Sequence, residues 1–134
     1  MAYDTATTES VLLKYLQMSS NIEGLKAVTI SDLEGDLQDA EKKTKNVEIY
    51  GFSSRRDAAT HQLLTDVSDL QEFGFLIRDD ATTELSLTEW GRLCASLFDL
   101  PGPVRQTFEQ VIRERCQKAN HLEHVALAAA CITL

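Results

Sequence analysis

Apolar positions along the chain change period several times, and each change marks an element. Val11, Leu12, Tyr15 and Leu16 share one side of a 3.6-residue repeat. They predict a helix over about Glu9–Ser19, with Thr8 as its cap and Asn21 and Gly24 as its end. Ser31 and Glu34 have the spacing of a capping box. The helix they open runs to about Lys43 and buries Leu33, Leu37 and Ala40. Its acids come first and Lys42, Lys43 and Lys45 come last, as the helix dipole favours, so that lysine cluster reads as a solvated last turn. Val47–Tyr50 alternates and reads as either a third strand or an extended link before a turn at Gly51. Ser53 or Ser54 then caps the longest helix, about Arg55–Phe73. Its stripe is Ala59, Leu63, Val67, Leu70 and Phe73, and Gly74 closes it.

After Gly74 the period shortens. Phe75, Leu76 and Ile77 form a strand-length apolar run, and Arg78–Thr83 is polar and turn-rich. Leu85-Ser86-Leu87 alternates as a half-buried strand does, and Thr88 caps a helix through Trp90 and Leu93. Helix, strand, polar wing, strand and helix together predict a winged helix. Pro101-Gly102-Pro103 marks a boundary. A helix from Val104 to about Lys118 follows, burying Val104, Phe108, Val111 and Ile112. Asn120 and Glu123 open a last one, which buries Leu122, Val125, Ala129 and Ile132. The expected fold is mainly α: a winged helix over residues 1–100, then the start of a helical bundle over 101–134.

Composition narrows the function. Hydrophobic residues make up 43% of 134, enough for a core, and no apolar run nears the roughly 20 residues of a membrane span. The first ten residues are polar and acidic, unlike a signal peptide, and the three cysteines form no Cys-x-x-Cys pair. An intracellular protein with reduced thiols is expected. The net charge is −8, and only the part after Leu100 has more bases than acids. Phosphate binding needs clustered Lys and Arg. The long helix offers Arg55, Arg56, Thr60 and His61 near its start, but Asp66, Asp69 and Glu72 follow. The wing holds two acids and one base, where a minor-groove wing presents bases. No phosphate loop, Gly-x-Ser-x-Gly motif or standard zinc spacing is present; Cys116, His121, Glu123 and His124 do not make one. No catalytic residue, metal or cofactor is assigned, and Asp79-Asp80 reads as a wing turn.

Leu87-Thr88-x-x-Gly91-Arg92-x-x-Ala95-x-Leu97 resembles a stretch in the helicase-associated region of DEAH-box RNA helicases. Val11-Leu12-Leu13, Tyr50-Gly51-Phe52, Leu70-x-x-Phe73-Gly74 and the prolines at 101 and 103 fall in that region's order. So does the series Cys116, Leu122, Glu123 and Ala128-Ala129. The chain departs from the pattern in having Ser53-Ser54-Arg55 where prolines precede the long helix. The resemblance implies a non-catalytic module that docks on RecA-like motor domains and guides single-stranded RNA. It makes Arg105, Arg113 and Lys118 the candidate RNA contacts and Arg92 a brace. Two alternatives stand beside it: a DNA-binding winged-helix regulator using Arg55, Arg56 and His61, and a winged helix that only joins protein complexes.

Overall fold

The computed structural model describes residues 8–23, 28–43, 49–97 and 99–133, with side chains except at 23 and 119–133. The elements are α1 (Thr8–Glu23), β1 (Val28–Thr29), α2 (Ile30–Lys43), α3 (Arg56–Glu72), β2 (Leu76–Arg78), β3 (Glu84–Leu87), α4 (Glu89–Ser96) and α5 (Gly102–Thr133). The three strands form an antiparallel sheet in the order β1-β3-β2. A mainly helical protein with a small winged sheet is what the hydrophobic pattern predicts.

The core is built around α1. Val11, Leu12, Leu13, Tyr15, Leu16 and Met18 are all buried, so α1 is covered on more sides than a single stripe requires. It touches α5, α4, α3 and β3. Leu76, Leu85 and Leu87 turn inward from the sheet, while Ile77 and Glu84 turn outward, as the two-residue strand period demands.

Several expected details shift. The third strand is Val28–Thr29, paired through Val28–Leu85 and Thr29–Glu84. Val47 and Glu48 lie outside the described residues, and Ile49 and Tyr50 form a bend. Thr29, not Ser31, caps α2: its Oγ1 accepts from Asp32 N at 3.1 Å. Neither Ser53 nor Ser54 caps α3; the N-cap is Arg55, without a side-chain bond. The preceding loop instead turns at Gly51 (φ 78°), whose carbonyl accepts from Ser54 N and Arg55 N. Four of the five stripe residues of α3 are buried, but Phe73, the C-cap, is exposed. Gly74 stands at φ 81°. Phe75 N bonds Leu70 O and Gly74 N bonds Gln71 O, the paired bonds of a Schellman ending.

The two expected C-terminal helices are one. α5 is continuous for 32 residues, about 48 Å, because nothing between Val104 and Thr133 is a glycine or proline that would break it. Val104, Phe108, Val111 and Ile112 seat it on α1 and α2, with Phe108 edge-on to Tyr15 at 5.8 Å.

Two buried tyrosine–aspartate pairs tie these layers. Tyr15 donates to Asp36, which also accepts from Arg115 Nε at 2.8 Å, joining α1, α2 and α5. Arg115 reaches Asp32 as well, at 3.6 Å. Tyr50 donates to Asp66 at 2.6 Å and Gln62 to the other Asp66 oxygen at 2.8 Å. Burial, then the Asp66 carboxylate, pushes the Tyr50 hydroxyl far above its ordinary range. The Glu41 carboxylate accepts from the backbone amides of Ile49, Tyr50, Gly51 and Phe52, at 2.7–3.1 Å, and so fastens the link to α2.

Candidate functional site

The motif from Leu87 has a mechanical meaning. Thr88 Oγ1 accepts from Gly91 N at 3.0 Å, capping α4, and donates to Gly74 O at 2.7 Å, tying α4 to the end of α3. A β-carbon at Gly91 would overlap the Phe75 carbonyl oxygen. Glycine therefore lets α4 lie against the start of β2. Gly91 and Ala95 form the small inner side of α4, and both are buried.

The opposite side of α4 is apolar and open to solvent. Trp90, Leu93 and Leu97, spaced three and four apart on one side, are 54%, 54% and 77% exposed. Trp90 stacks on Phe75 (ring centres 6.2 Å apart, planes 18°), and Phe75 meets Phe73 at 6.3 Å. Ile77 lies two residues beyond Phe75 on the outer face of β2 and is also exposed. The result is one apolar surface across the end of α3, β2 and α4. Its exposed part is on the order of 500 Å², near the upper range of patches on ordinary monomers. The neighbouring exposed charges are mostly acidic. Glu72, Asp79, Asp80, Glu84 and Glu89 stand against Arg78 and Arg92.

The wing is a built turn. Asp79 Oδ1 accepts from Ala81 N at 2.9 Å, Thr83 N bonds Asp79 O at 2.8 Å, and Thr83 takes a positive φ of 58°. Asp79 therefore serves the wing's own backbone.

The candidate nucleic-acid residues do not gather. Arg55, Arg56 and His61 are exposed at the start of α3, beside Asp57. Arg56 borders a cavity of about 350 Å³ shared with Gln38, Lys42 and Ser53. Farther along α3, Asp69 and Glu72 reach the surface, and Asp66 is buried. On α5, Arg105 pairs with Asp99 at 3.5 Å and Glu109 at 3.7 Å. Arg113 is exposed on the outward side. At 100° per residue, Arg105 and Lys118 fall on opposite flanks of the buried stripe, so these three bases form no common face. Lys118 borders a cavity beside Asp32, Asp36 and Asp39. Leu87 is buried, and Arg92 is exposed with no side-chain bond or ion pair among the described residues.

Among the described residues no group of His, Cys, Asp and Glu gathers to hold a metal ion. The side chains of His121, Glu123, His124 and Cys131 lie outside the described residues; Cys94 and Cys116 are half-buried. No described helix is long and apolar enough to cross a membrane.

The hydrophobic pattern puts Trp90 and Leu93 on the helix after Thr88 but does not show the surface as a whole. The signal was present. α4 is eight residues long, yet has apolar residues at 90, 93, 94 and 95, with Leu97 as its C-cap, more than one packing side can use.

No protein-family model, curated protein or solved structure matches the chain.

Proposed function

We propose that the chain is a non-catalytic winged-helix docking module of a larger assembly. The observation that carries this reading is the open apolar surface of Phe73, Phe75, Trp90, Leu93 and Leu97, set beside a long helix whose exposed charges are mostly acidic. Fully desolvated aromatic anchors are what protein interfaces use. A duplex-binding helix needs clustered cations, and α3 with its N-cap offers Arg55 and Arg56 against Asp57, Asp69 and Glu72.

The resemblance of Leu87–Leu97 to the helicase-associated region supplies the kind of assembly: a DEAH-like RNA helicase, with RecA-like motor domains as the partner. In that setting Arg113 and Lys118 guide single-stranded RNA weakly, and Arg105 adds to them only by releasing Asp99 and Glu109. The chain itself turns over no ATP.

Fluorescence anisotropy with single-stranded RNA and duplex DNA tests the reading. We expect affinity no better than about 10⁻⁴ to 10⁻⁶ M for either, with a log–log salt slope on the order of −2 on single strands. Arg113→Glu with Lys118→Glu should abolish what RNA binding there is, and Arg105→Glu alone should change it little. Tight duplex binding, lost only on Arg55→Glu with Arg56→Glu, would overturn the docking module and promote a DNA-binding regulator.

A further inference from the structure

The open face of α4 and β2 also indicates the chemistry of what covers it. We propose that its occupant is an amphipathic helix of another protein, apolar on one side and flanked by Lys and Arg. This rests on the reading of the chain as a docking module and adds the partner's character to it.

Three observations carry the proposal. The first is shape. Trp90, Leu93 and Leu97 form a straight row along one side of α4, and the Phe75 ring stacked on Trp90 widens it toward β2. A row beside a ring shelf suits the i, i+3, i+4, i+7 anchors of a helix. The second is size. About 500 Å² of exposed apolar surface falls short of the roughly 800 Å² per partner in a standard interface, so it can form its apolar centre. The rim must supply the rest. The third is charge. That rim is mostly acidic, with Glu72, Asp79, Asp80, Glu84 and Glu89 outnumbering Arg78 and Arg92. A second copy of the chain, meeting this surface through a two-fold axis, would set the acids of one rim against those of the other. A basic flank would meet them with opposite charge and exclude wrong partners.

Trp90 is the single tryptophan and reports directly on the surface. The experiment follows its emission while the purified chain is titrated with two helical peptides. They share leucines at i, i+3, i+4 and i+7; one has lysines on its polar side and the other glutamates. We expect a blue shift with the lysine peptide and at least about tenfold weaker binding of the glutamate peptide. A scrambled lysine peptide of the same composition should give no shift. Leu93→Ser with Leu97→Ser, both at exposed positions, should remove the shift without changing the circular dichroism. Glu72→Lys with Glu89→Lys should move the preference toward the glutamate peptide. Equal affinity for both peptides, no shift with either, or a shift that survives the leucine changes would overturn the proposal. So would a blue shift produced by concentrating the chain alone, with a doubled mass in sedimentation, which would assign the surface to a second copy. If nucleic-acid binding stays weak while the peptides fail, this inference falls and the docking module stands. Tight duplex binding through Arg55 and Arg56 removes both.

Discussion

Gly91 lies against the backbone of Phe75 so closely that a methyl group there would overlap the Phe75 carbonyl oxygen and come within 3.2 Å of Leu87 Cδ2. A carbonyl fixed by Thr88 N at 3.1 Å cannot move aside cheaply. Gly91→Ala should therefore destabilise the fold by about 2 kcal/mol or more, as overpacking does. Gly74→Ala meets open space but must adopt φ 81°, and should cost only about 1 kcal/mol. Urea unfolding of both variants checks the order; equal or reversed costs would contradict the close approach of α4 to β2.

Asp36 is 3% exposed and accepts from both Tyr15 and Arg115. Asp36→Ala leaves the buried Tyr15 hydroxyl without its acceptor and takes one of two acids from the half-buried Arg115 guanidinium. The expected cost is about 2 kcal/mol, chiefly from the stranded hydroxyl, while Arg115 keeps Asp32. Arg115→Met added to Asp36→Ala should cost clearly less than the sum of the two changes made singly. Strict additivity in denaturant titrations would mean that the α2–α5 bond contributes nothing.

Glu9 sits near Asp66 and Asp69, and its carboxyl is raised above 4.5, first by burial and then by those two acids. The α1 dipole favours the charged form, but these effects oppose it and prevail. A carboxyl raised in the folded state contributes stability below its ordinary value, and that contribution is lost as pH climbs through the raised value. Glu9→Gln should therefore gain on the parent as pH rises above 4.5, reaching a few tenths of a kcal/mol at pH 7 for this half-exposed site. Melting curves across that range read the difference. A constant or shrinking gap would contradict the carboxylate cluster.

The hydrophobic pattern made much of the fold legible because most elements bury a residue set that repeats at their own period. Leu33-Leu37-Ala40, Ala59-Leu63-Val67-Leu70 and Leu85-Leu87 are such sets, and Gly74 and Thr88 punctuate them by local backbone chemistry. β1 was missed because two residues are too few to show a period; Val28 and Thr29 are strand only through their pairing with Leu85 and Glu84. The caps of α2 and α3 moved because a capping oxygen is chosen by tertiary position, as when Thr29 is held at the sheet edge. Asn120 stopped nothing, since a polar residue ends a helix only where the chain must also turn. The candidate site was the least legible part. Phe73, Leu93 and Leu97 look like core residues in any apolar stripe, and only the packed structure shows that nothing among the described residues covers them.

Quenching of Trp90 tests the docking surface most directly, because its emission arises at the centre of the acidic-rimmed face. Acrylamide should quench strongly, showing an open ring. Caesium should quench more than iodide at low salt, because the rim draws cations and repels anions, and the difference should fade as salt screens it. Weak quenching by acrylamide, or iodide ahead of caesium, would contradict an open apolar face bounded by acids.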